Sequence, residues 1–304
     1  MNNNAGTSAD FSQLDAACNS ALVLAGDTLY IEPSATAYPG FNLYKKLVMI
    51  GPGYLLSGTN GNAGLQANPN TVTATIYIDS LATGSVFMGL TVTAYLHGGT
   101  DNIRFERCYL SVSQWTSGKI MSNMVINKCQ MNGFNLATYP TENLQVTNCI
   151  FEAIGFNHTA GSNILVRNNT FYNTGVTISN AYISNNIFYS SVLTQTSSTV
   201  KNNISTTNSL PAGNGNVNSA PAASIFVGGT SKDGKFMLAT ASPAKGMGET
   251  INGITPDCGA FGSPDPYRLS GIPPIPSIYE LTVPTSVPST SSSMSITVST
   301  RSNN

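Results

Sequence analysis

Charge is what this chain has least of. It carries 13 Lys and Arg and 14 Asp and Glu in 304 residues, 9% of the total, for a formal net charge of −1. An average soluble domain carries about 25%. So few cations cannot build a useful basic face, which argues against nucleic acid as a partner. There are only two histidines, His97 and His158, which excludes a His-rich metal site by count. The five cysteines, Cys18, Cys108, Cys129, Cys149 and Cys258, include no C-x-x-C spacing, which argues against a zinc site or a thioredoxin-like motif. No metal or cofactor is expected. No apolar run reaches the roughly 18 residues of a membrane span. The first ten residues, MNNNAGTSAD, have neither a basic n-region nor an apolar h-region, so they are not a signal peptide. Asn, Ser, Thr and Gly fill the polar positions, a composition that suits a secreted chain from which a leader has been removed.

What the chain has in quantity is repetition. Asn168-Asn169-Thr170-Phe171 returns 17 residues later as Asn185-Asn186-Ile187-Phe188. Aligned on that stretch, units begin at Asn102 (NIRFERCYL), Asn123 (NMVINKCQM), Asn143 (NLQVTNCIF), Asn163 (NILVRNNTF), Asn180 (NAYISNNIF) and Ser198 (STVKNNIS). One column then holds Cys108, Cys129, Cys149, Asn169, Asn186 and Asn203, at steps of 21, 20, 20, 17 and 17 residues, with Leu90 one unit earlier. Apolar residues alternate with polar ones inside a unit, as at Ile103 and Phe105, Leu144 and Val146, and Ile164 and Val166. That is the period of a strand.

A unit of 17 to 21 residues is too short for a hairpin plus a helix and long enough for three short strands. One such unit cannot bury its own apolar face, whereas stacked units can. The spacing predicts an all-β parallel β-helix, a solenoid with coils about 4.8 Å apart. Equivalent positions then form ladders. Phe151, Phe171 and Phe188 are expected to stack inside, and Asn169, Asn186 and Asn203 to form an amide ladder at a bend. Cys108, Cys129 and Cys149, in the same column, are expected to be small buried fillers. A disulfide between adjacent coils is compatible with the spacing and not required by it. No Lys, Arg or His cluster surrounds these thiols to activate them.

The Asn-Asn-x-Phe recurrence resembles the right-handed parallel β-helix superfamily, the fold of pectate lyases and of many secreted bacterial proteins. The opening segment AGDTLYIEPSATAYPGFNLYKKLVMIGPG (Ala25 to Gly53) is similar to the start of that superfamily, where a short capping helix precedes the first strand. The exit segment contains Ser242-Pro243-Ala244 and Asp257-Cys258-Gly259-Ala260, which resemble the S-P-A-x-D-x-G and D-x-G-A closing motifs of secreted members. Met247 stands where an Asp is usual, and Cys258 departs as well. The likeness, over about residues 20 to 262, implies the fold and says little of function. A Pro-rich run followed by a strand pair is similar to the ends of secreted proteins from Bacteroidetes-like bacteria.

Three regions follow: an N-terminal cap (1–30), the β-helix (31–262) and a Pro-rich segment with a C-terminal strand pair (263–304). In the cap, Phe11, Leu14, Ala17, Cys18 and Leu22 fall at helical spacing. Ser8 and Asp10 are the expected N-cap, and the helix is expected to cover the first coil's open edge. In the last region, GSPDPYRLSGIPPIPSIYELTVP should run extended along a surface. The strand-like stretches Ile278 to Val283 and Met294 to Ser299 form either a hairpin or two free strands. Their apolar residues Ile278, Tyr279, Leu281, Val283, Met294, Ile296 and Val298 are candidate assembly strands, since a strand can be added to a neighbour's sheet edge.

Between Phe87 and Asn203 the acidic residues are Asp101, Glu106, Glu142 and Glu152. Alternation puts Arg104 and Glu106 outward on one strand, where they should pair. No two carboxylates share a column in adjacent coils, so the two-carboxylate arrangement of a glycosidase is unsupported. Catalytic residues are therefore not assigned. Asp265 and Arg268 read as turn residues. The outward column of the first strand is Arg104, Val125, Gln145, Leu165, Tyr182 and Thr199. Val125, Leu165 and Tyr182 are apolar there, which calls for a cover by the C-terminal strands or by another subunit. Trp115, Tyr95, Tyr139 and Tyr172 are candidates for carbohydrate contact.

The leading expectation is a non-enzymatic extracellular structural protein, a homo-oligomer or a filament joined through its termini. A polysaccharide lyase or glycoside hydrolase, with Glu106 or Glu152 essential, is the second. A module that binds an extracellular polysaccharide or acts in adhesion is the third.

Overall fold

The structure, a computed structural model, describes residues 1–116, 118–137, 139–262 and 264–303. Its strands stack into a parallel β-solenoid. One nine-stranded sheet runs from Thr28–Tyr30 to Thr199–Lys201, and a second from Phe41–Leu43 to Ile204–Ser205. Neighbouring strands are one coil apart in sequence. Across the first sheet the partners are Arg104, Val125, Gln145, Leu165, Tyr182 and Thr199. Across the second they are Val92, Leu110, Met131, Phe151, Phe171 and Phe188. The repeat in the sequence is therefore the circumference of one coil.

The change of period has a local cause. In the longer coils a separate short strand, such as Gly161–Ser162, follows the third side and leads into the first sheet. In the shorter coils Gly175–Ser179 passes through Asn180 straight into Ala181–Ser184.

Single residues in the left-handed region turn the chain into and out of the first sheet. Asn102, Asn123, Asn143, Asn163 and Asn180 precede the strand, with φ between 53° and 57°. Arg107, Lys128, Asn148, Asn168, Asn185 and Asn202 follow it, with φ between 52° and 59°. Asn tolerates this region better than most residues because its short amide bonds locally. Gly89 makes the second bend one coil earlier, at φ 65°, and a Cβ there would lie 2.5 Å from Pro273 Cγ.

The interior fills in rows. Phe87 stacks on Phe105 at 5.1 Å between ring centroids, and Phe151, Phe171 and Phe188 follow one another at 4.9 and 5.1 Å. All five rings are fully buried. Each contributes about 2–3 kcal/mol through burial alone, and each finds its partner only because the next coil repeats it.

The N-terminal helix, Leu14–Asn19, buries Leu14, Ala17 and Cys18 against the first coils. It is shorter than the apolar spacing implied. Its N-cap is Gln13, without a side-chain bond, rather than Ser8 or Asp10, and Leu22 is 85% exposed. The chain turns away after Asn19. There Lys45 Nζ takes the carbonyls of Ser20 (3.0 Å) and Val23 (2.8 Å), and Asp27 Oδ2 accepts from Leu24 N (2.7 Å).

After the last coil the chain returns along the outside. The segment from Ser242 to Pro276 runs beside the second bend column, from the last coil toward the first. Met247 accepts from Asn202 Nδ2 (3.3 Å), Gly259 N donates to the Asn185 carbonyl (2.8 Å) and Ala260 accepts from Asn148 Nδ2 (3.2 Å). Asp265 then pairs with Lys128, and the Ile272 carbonyl accepts from Arg107 Nη1 at 2.7 Å. The two halves of the closing motif bind each other: Cys258 N donates to the Ala244 carbonyl (2.8 Å) and Gly246 N to Asp257 Oδ1 (2.7 Å). Arg107 and Lys128 stand where other coils have Asn, and this strap is what holds their long side chains. Asp265 is thus an ion-pair partner, beyond the turn role read from its sequence.

A buried carboxylate ties the strap to two other loops. Asp233 accepts from Asn62 Nδ2 (2.7 Å), Ser231 Oγ (3.0 Å), the Tyr267 hydroxyl (3.0 Å) and Ser270 N (2.7 Å). Beyond the strap, Ser277–Thr282 pairs antiparallel with Thr297–Arg301 in a hairpin with a register shift around Tyr279. Met294 and Ile296 lie in the approach to the second strand rather than within it.

Candidate functional site

The inner bend column is a hydrogen-bonded ladder. Asn169, Asn186 and Asn203 each accept, through Oδ1, the backbone N–H of the column residue one coil earlier, at 2.8 to 2.9 Å. Their Nδ2 groups donate to the carbonyls of Val146, Val166 and Ile183 at 2.8 to 2.9 Å. Cys129 and Cys149 do the same with sulfur: each Sγ accepts from the preceding column residue's N–H at 3.4 Å. Cys108, Cys129 and Cys149 donate to the Phe87, Phe105 and Ile126 carbonyls at 3.5, 3.7 and 3.5 Å. All five cysteines are free and buried. Burial pushes the Cys108 and Cys129 thiols well up from their ordinary value, and Cys18 and Cys258 up to about 12. Every polar atom of the column is committed to the backbone, so it presents nothing to a ligand.

Three clusters of titratable groups bear on a hydrolytic reading. Arg104 Nε donates to Glu106 Oε2 at 2.8 Å. Glu249, on the strap, accepts from Lys201 Nζ (2.8 Å) and the Tyr182 hydroxyl (2.7 Å). Burial alone would raise its carboxyl, but these two donors outweigh that and hold it below the usual carboxylate range. The third is a cleft of about 360 Å³ between the second sheet and the loop bearing Lys232 and Lys235. In it Glu152 is paired with Lys235, and Lys232 Nζ donates to the Tyr109 hydroxyl at 2.6 Å, which in turn donates to Asn132 Oδ1 at 2.9 Å. Glu152 is the single carboxylate among the described residues lining this cleft, and a lysine neutralises it. The general acid and base of a hydrolase need two. Among the described residues no group of three or more His, Cys, Asp or Glu side chains is placed to hold a metal ion.

The outward column is partly covered, and not by the C-terminal strands. Val125 and Leu165 are half-buried, and Arg167 lies over the Tyr182 ring at 5.6 Å. Strap residue Glu249 is what reaches Tyr182. The hairpin sits instead beside the first coils, where the Ile278 carbonyl accepts from Ala67 N at 2.9 Å and Arg301 bonds the Leu65 carbonyl.

The hairpin has two unlike faces. On one, Leu281 opposes Val298 and Ile278 opposes Thr300, and Val283 and Ile296 lie just beyond the strand ends. The other face is polar: Ser299 Oγ donates to Glu280 at 2.9 Å, and Arg301 lies 5.2 Å over the Tyr279 ring. Ile278, Leu281, Val283, Met294, Ile296 and Val298 are 43 to 52% exposed, an apolar face that the chain itself leaves open. Ile278 and Leu281 form one wall of a groove of about 490 Å³, and Tyr30, Ile31 and Ile50 of the first two coils form the other.

The candidate aromatics separate. Tyr172 is enclosed by Tyr189, Phe236 and Lys235. Tyr139 is half-buried, with its N–H on the Leu136 carbonyl at 3.3 Å. Tyr95 and Trp115 belong to one cluster, linked through Tyr77 and joined by His97, which the sequence reading did not single out as binding residues. Tyr77 stacks on Tyr95 (5.1 Å) and against Trp115 (4.4 Å), and His97 meets Trp115 edge-on (5.0 Å). The clue was present: Thr75-Ile76-Tyr77 and Thr93-Ala94-Tyr95 are one coil apart.

No helix among the described residues is long and apolar enough to cross a membrane. In comparisons with protein-family models, curated proteins and solved structures, the chain matches none of them.

Proposed function

We propose that the chain is a non-enzymatic, secreted structural protein, a β-solenoid that associates with further copies of itself through its C-terminal hairpin. The observation that carries this reading is the open apolar face of that hairpin. A two-stranded hairpin is marginally stable in water on its own, and six half-exposed apolar side chains in the hairpin and just beyond its strand ends ask for a cover. The face offers roughly 500 Å² of apolar surface per copy, so two copies bury about 1,000 Å², the threshold for a specific interface. It carries no charge, so an identical face meets it without repulsion. The sparse charge of the whole chain and the neutralised carboxylates support a structural role over a hydrolytic one.

The hairpin and the groove it forms with Tyr30 lie at the same end of the solenoid. Contact through that end is self-complementary and closes as a two-fold pair. A filament needs a second contact at the far end. Light scattering and electron microscopy of the full chain test the reading. Leu281→Asp with Val298→Asp is expected to convert dimers or longer assemblies to monomers with the circular dichroism unchanged. A wild-type protein that stays monomeric at high concentration, or an assembly indifferent to both substitutions, refutes it.

A further inference from the structure

The second sheet carries on its outer side a row that runs along the solenoid axis. Asn42, Tyr77, Tyr95 and Ser113 are cross-strand neighbours, and Asn135 continues the row, with its Nδ2 donating to Ser113 Oγ at 3.3 Å. At about 4.8 Å per coil the row is roughly 19 Å long. Tyr77 and Tyr95 stand with ring planes 14° apart, and Trp115, 52% exposed, leans on Tyr77 at 53°. His97 abuts Trp115 and has Asp79 behind it at 3.9 Å. The rings thus brace one another: Tyr77 and Tyr95 are half-buried and Trp115 keeps about half its surface open, with amide and hydroxyl groups on either side.

Of the other surface rings, Tyr30 and Tyr44 are exposed but stand singly, and four more are already used. Tyr109, Tyr172, Tyr182 and Tyr279 each have a Lys or Arg over the face, whereas among the described residues none lies over Tyr77, Tyr95 or Trp115. We propose that this patch is a binding platform for an uncharged oligosaccharide lying along the solenoid axis. Three features favour that ligand. The electron-rich ring faces attract the weakly positive C–H face of a sugar ring. Asn42, Ser113 and Asn135 offer neutral donors and acceptors to its hydroxyls. The row is elongated and open-ended, which suits a chain rather than a single ring. A quaternary ammonium ion needs a gap between rings, and here the rings touch. A nucleic acid or an acidic glycan needs cations, and the row has none.

The full chain has one Trp, and it lies in this patch. Titration with cellohexaose, xylohexaose and mannohexaose, followed by Trp115 emission and by calorimetry, tests the proposal. At least one of these sugars is expected to change the emission saturably and to bind more tightly than its trimer. Tyr95→Ala and, by calorimetry, Trp115→Ala are each expected to weaken that binding at least tenfold. Trp115 is exposed enough that its removal leaves the fold intact, which the far-ultraviolet circular dichroism checks. The proposal is overturned if none of the three sugars binds, or if binding survives both substitutions. It is equally overturned if choline or hexagalacturonate proves to be what the patch holds.

Discussion

At the scale of the residue, one position per coil does the same job with two chemistries. An Asn amide and a Cys thiol both accept one backbone N–H and donate to a backbone carbonyl, and both are small enough for the bend. The amide does it with shorter bonds. Asn186→Ala removes the acceptor of the Asn169 N–H and the donor to the Val166 and Ser184 carbonyls. Leaving such buried groups unpaired costs about 1–3 kcal/mol each, so a loss of about 3 kcal/mol is expected in urea unfolding. The thiols should be silent. Burial raises the pKa of Cys18, Cys108, Cys129 and Cys258 and leaves them little thiolate, and it blocks access to all five. At pH 8 a thiol-specific disulfide reagent is expected to titrate none of the five cysteines in the native protein and all of them after unfolding.

His158 is the other informative residue. It is fully buried, with Nδ1 donating to the Leu136 carbonyl (2.8 Å) and Nε2 accepting from the Thr141 hydroxyl (2.6 Å) in the neutral tautomer these partners favour. Burial lowers its pKa from the ordinary 6.5. The unfolded chain therefore takes up a proton below about pH 6.5 that the folded chain refuses. Stability contributed by the neutral ring is complete above that pH and is lost as pH falls toward the lower, folded value. Denaturant midpoints measured from pH 8 to pH 5 should show this decline, and His158→Gln should flatten it. An unchanged slope in the variant would contradict the assignment.

At the scale of the element, coils and strap obey different rules. A coil is specified by what recurs. The period set the circumference and the column of Cys and Asn marked the bend, because each of these leaves a local pattern; the strand-like stretch Ile278–Val283 overlaps the strand Ser277–Thr282, whose bulge at Tyr279 has no such pattern. The strap leaves little pattern beyond its closing motif, and the contacts that anchor it leave none. Asn62 and Asp233 are 171 residues apart, and nothing around either announces the other. Arg107 and Lys128 gave a hint, since a bend that elsewhere takes Asn has no local reason to take a long cation. The aromatic platform was half legible, because Trp115 and Tyr95 stand out by type but their meeting with Tyr77 depends on coil register. The helix was over-read because Leu22 continues the helical spacing while Lys45 and Asp27 stop the helix. Asp233→Ala tests the strap directly. It removes the shared acceptor of four donors, the Tyr267 hydroxyl and Ser270 N among them in the interior, and a loss of about 3 kcal/mol is expected from the urea midpoint at constant slope.

At the scale of the molecule, the chain has very little long-range electrostatics. A contact made by the hairpin's apolar face gains nothing from opposite charges and loses nothing to screening. Raising sodium chloride from about 0.1 M to about 1 M shortens the screening length from about 10 Å to about 3 Å. Self-association through that face is expected to hold or to strengthen over this range in sedimentation velocity. An assembly that falls apart in salt would point to ion pairs elsewhere.

The strap has a consequence for how the protein comes into being. A solenoid alone can grow turn by turn behind the ribosome, each turn finished when the next one covers it. Here the earliest turns wait for partners more than a hundred residues further on: Arg107 for Ile272, Lys128 for Asp265, and Tyr54 for Tyr267, whose hydroxyls hydrogen-bond at 2.5 Å. A chain interrupted before residue 257 would leave those side chains facing water instead of their partners, so the first turns reach their final contacts only once the return segment has been made.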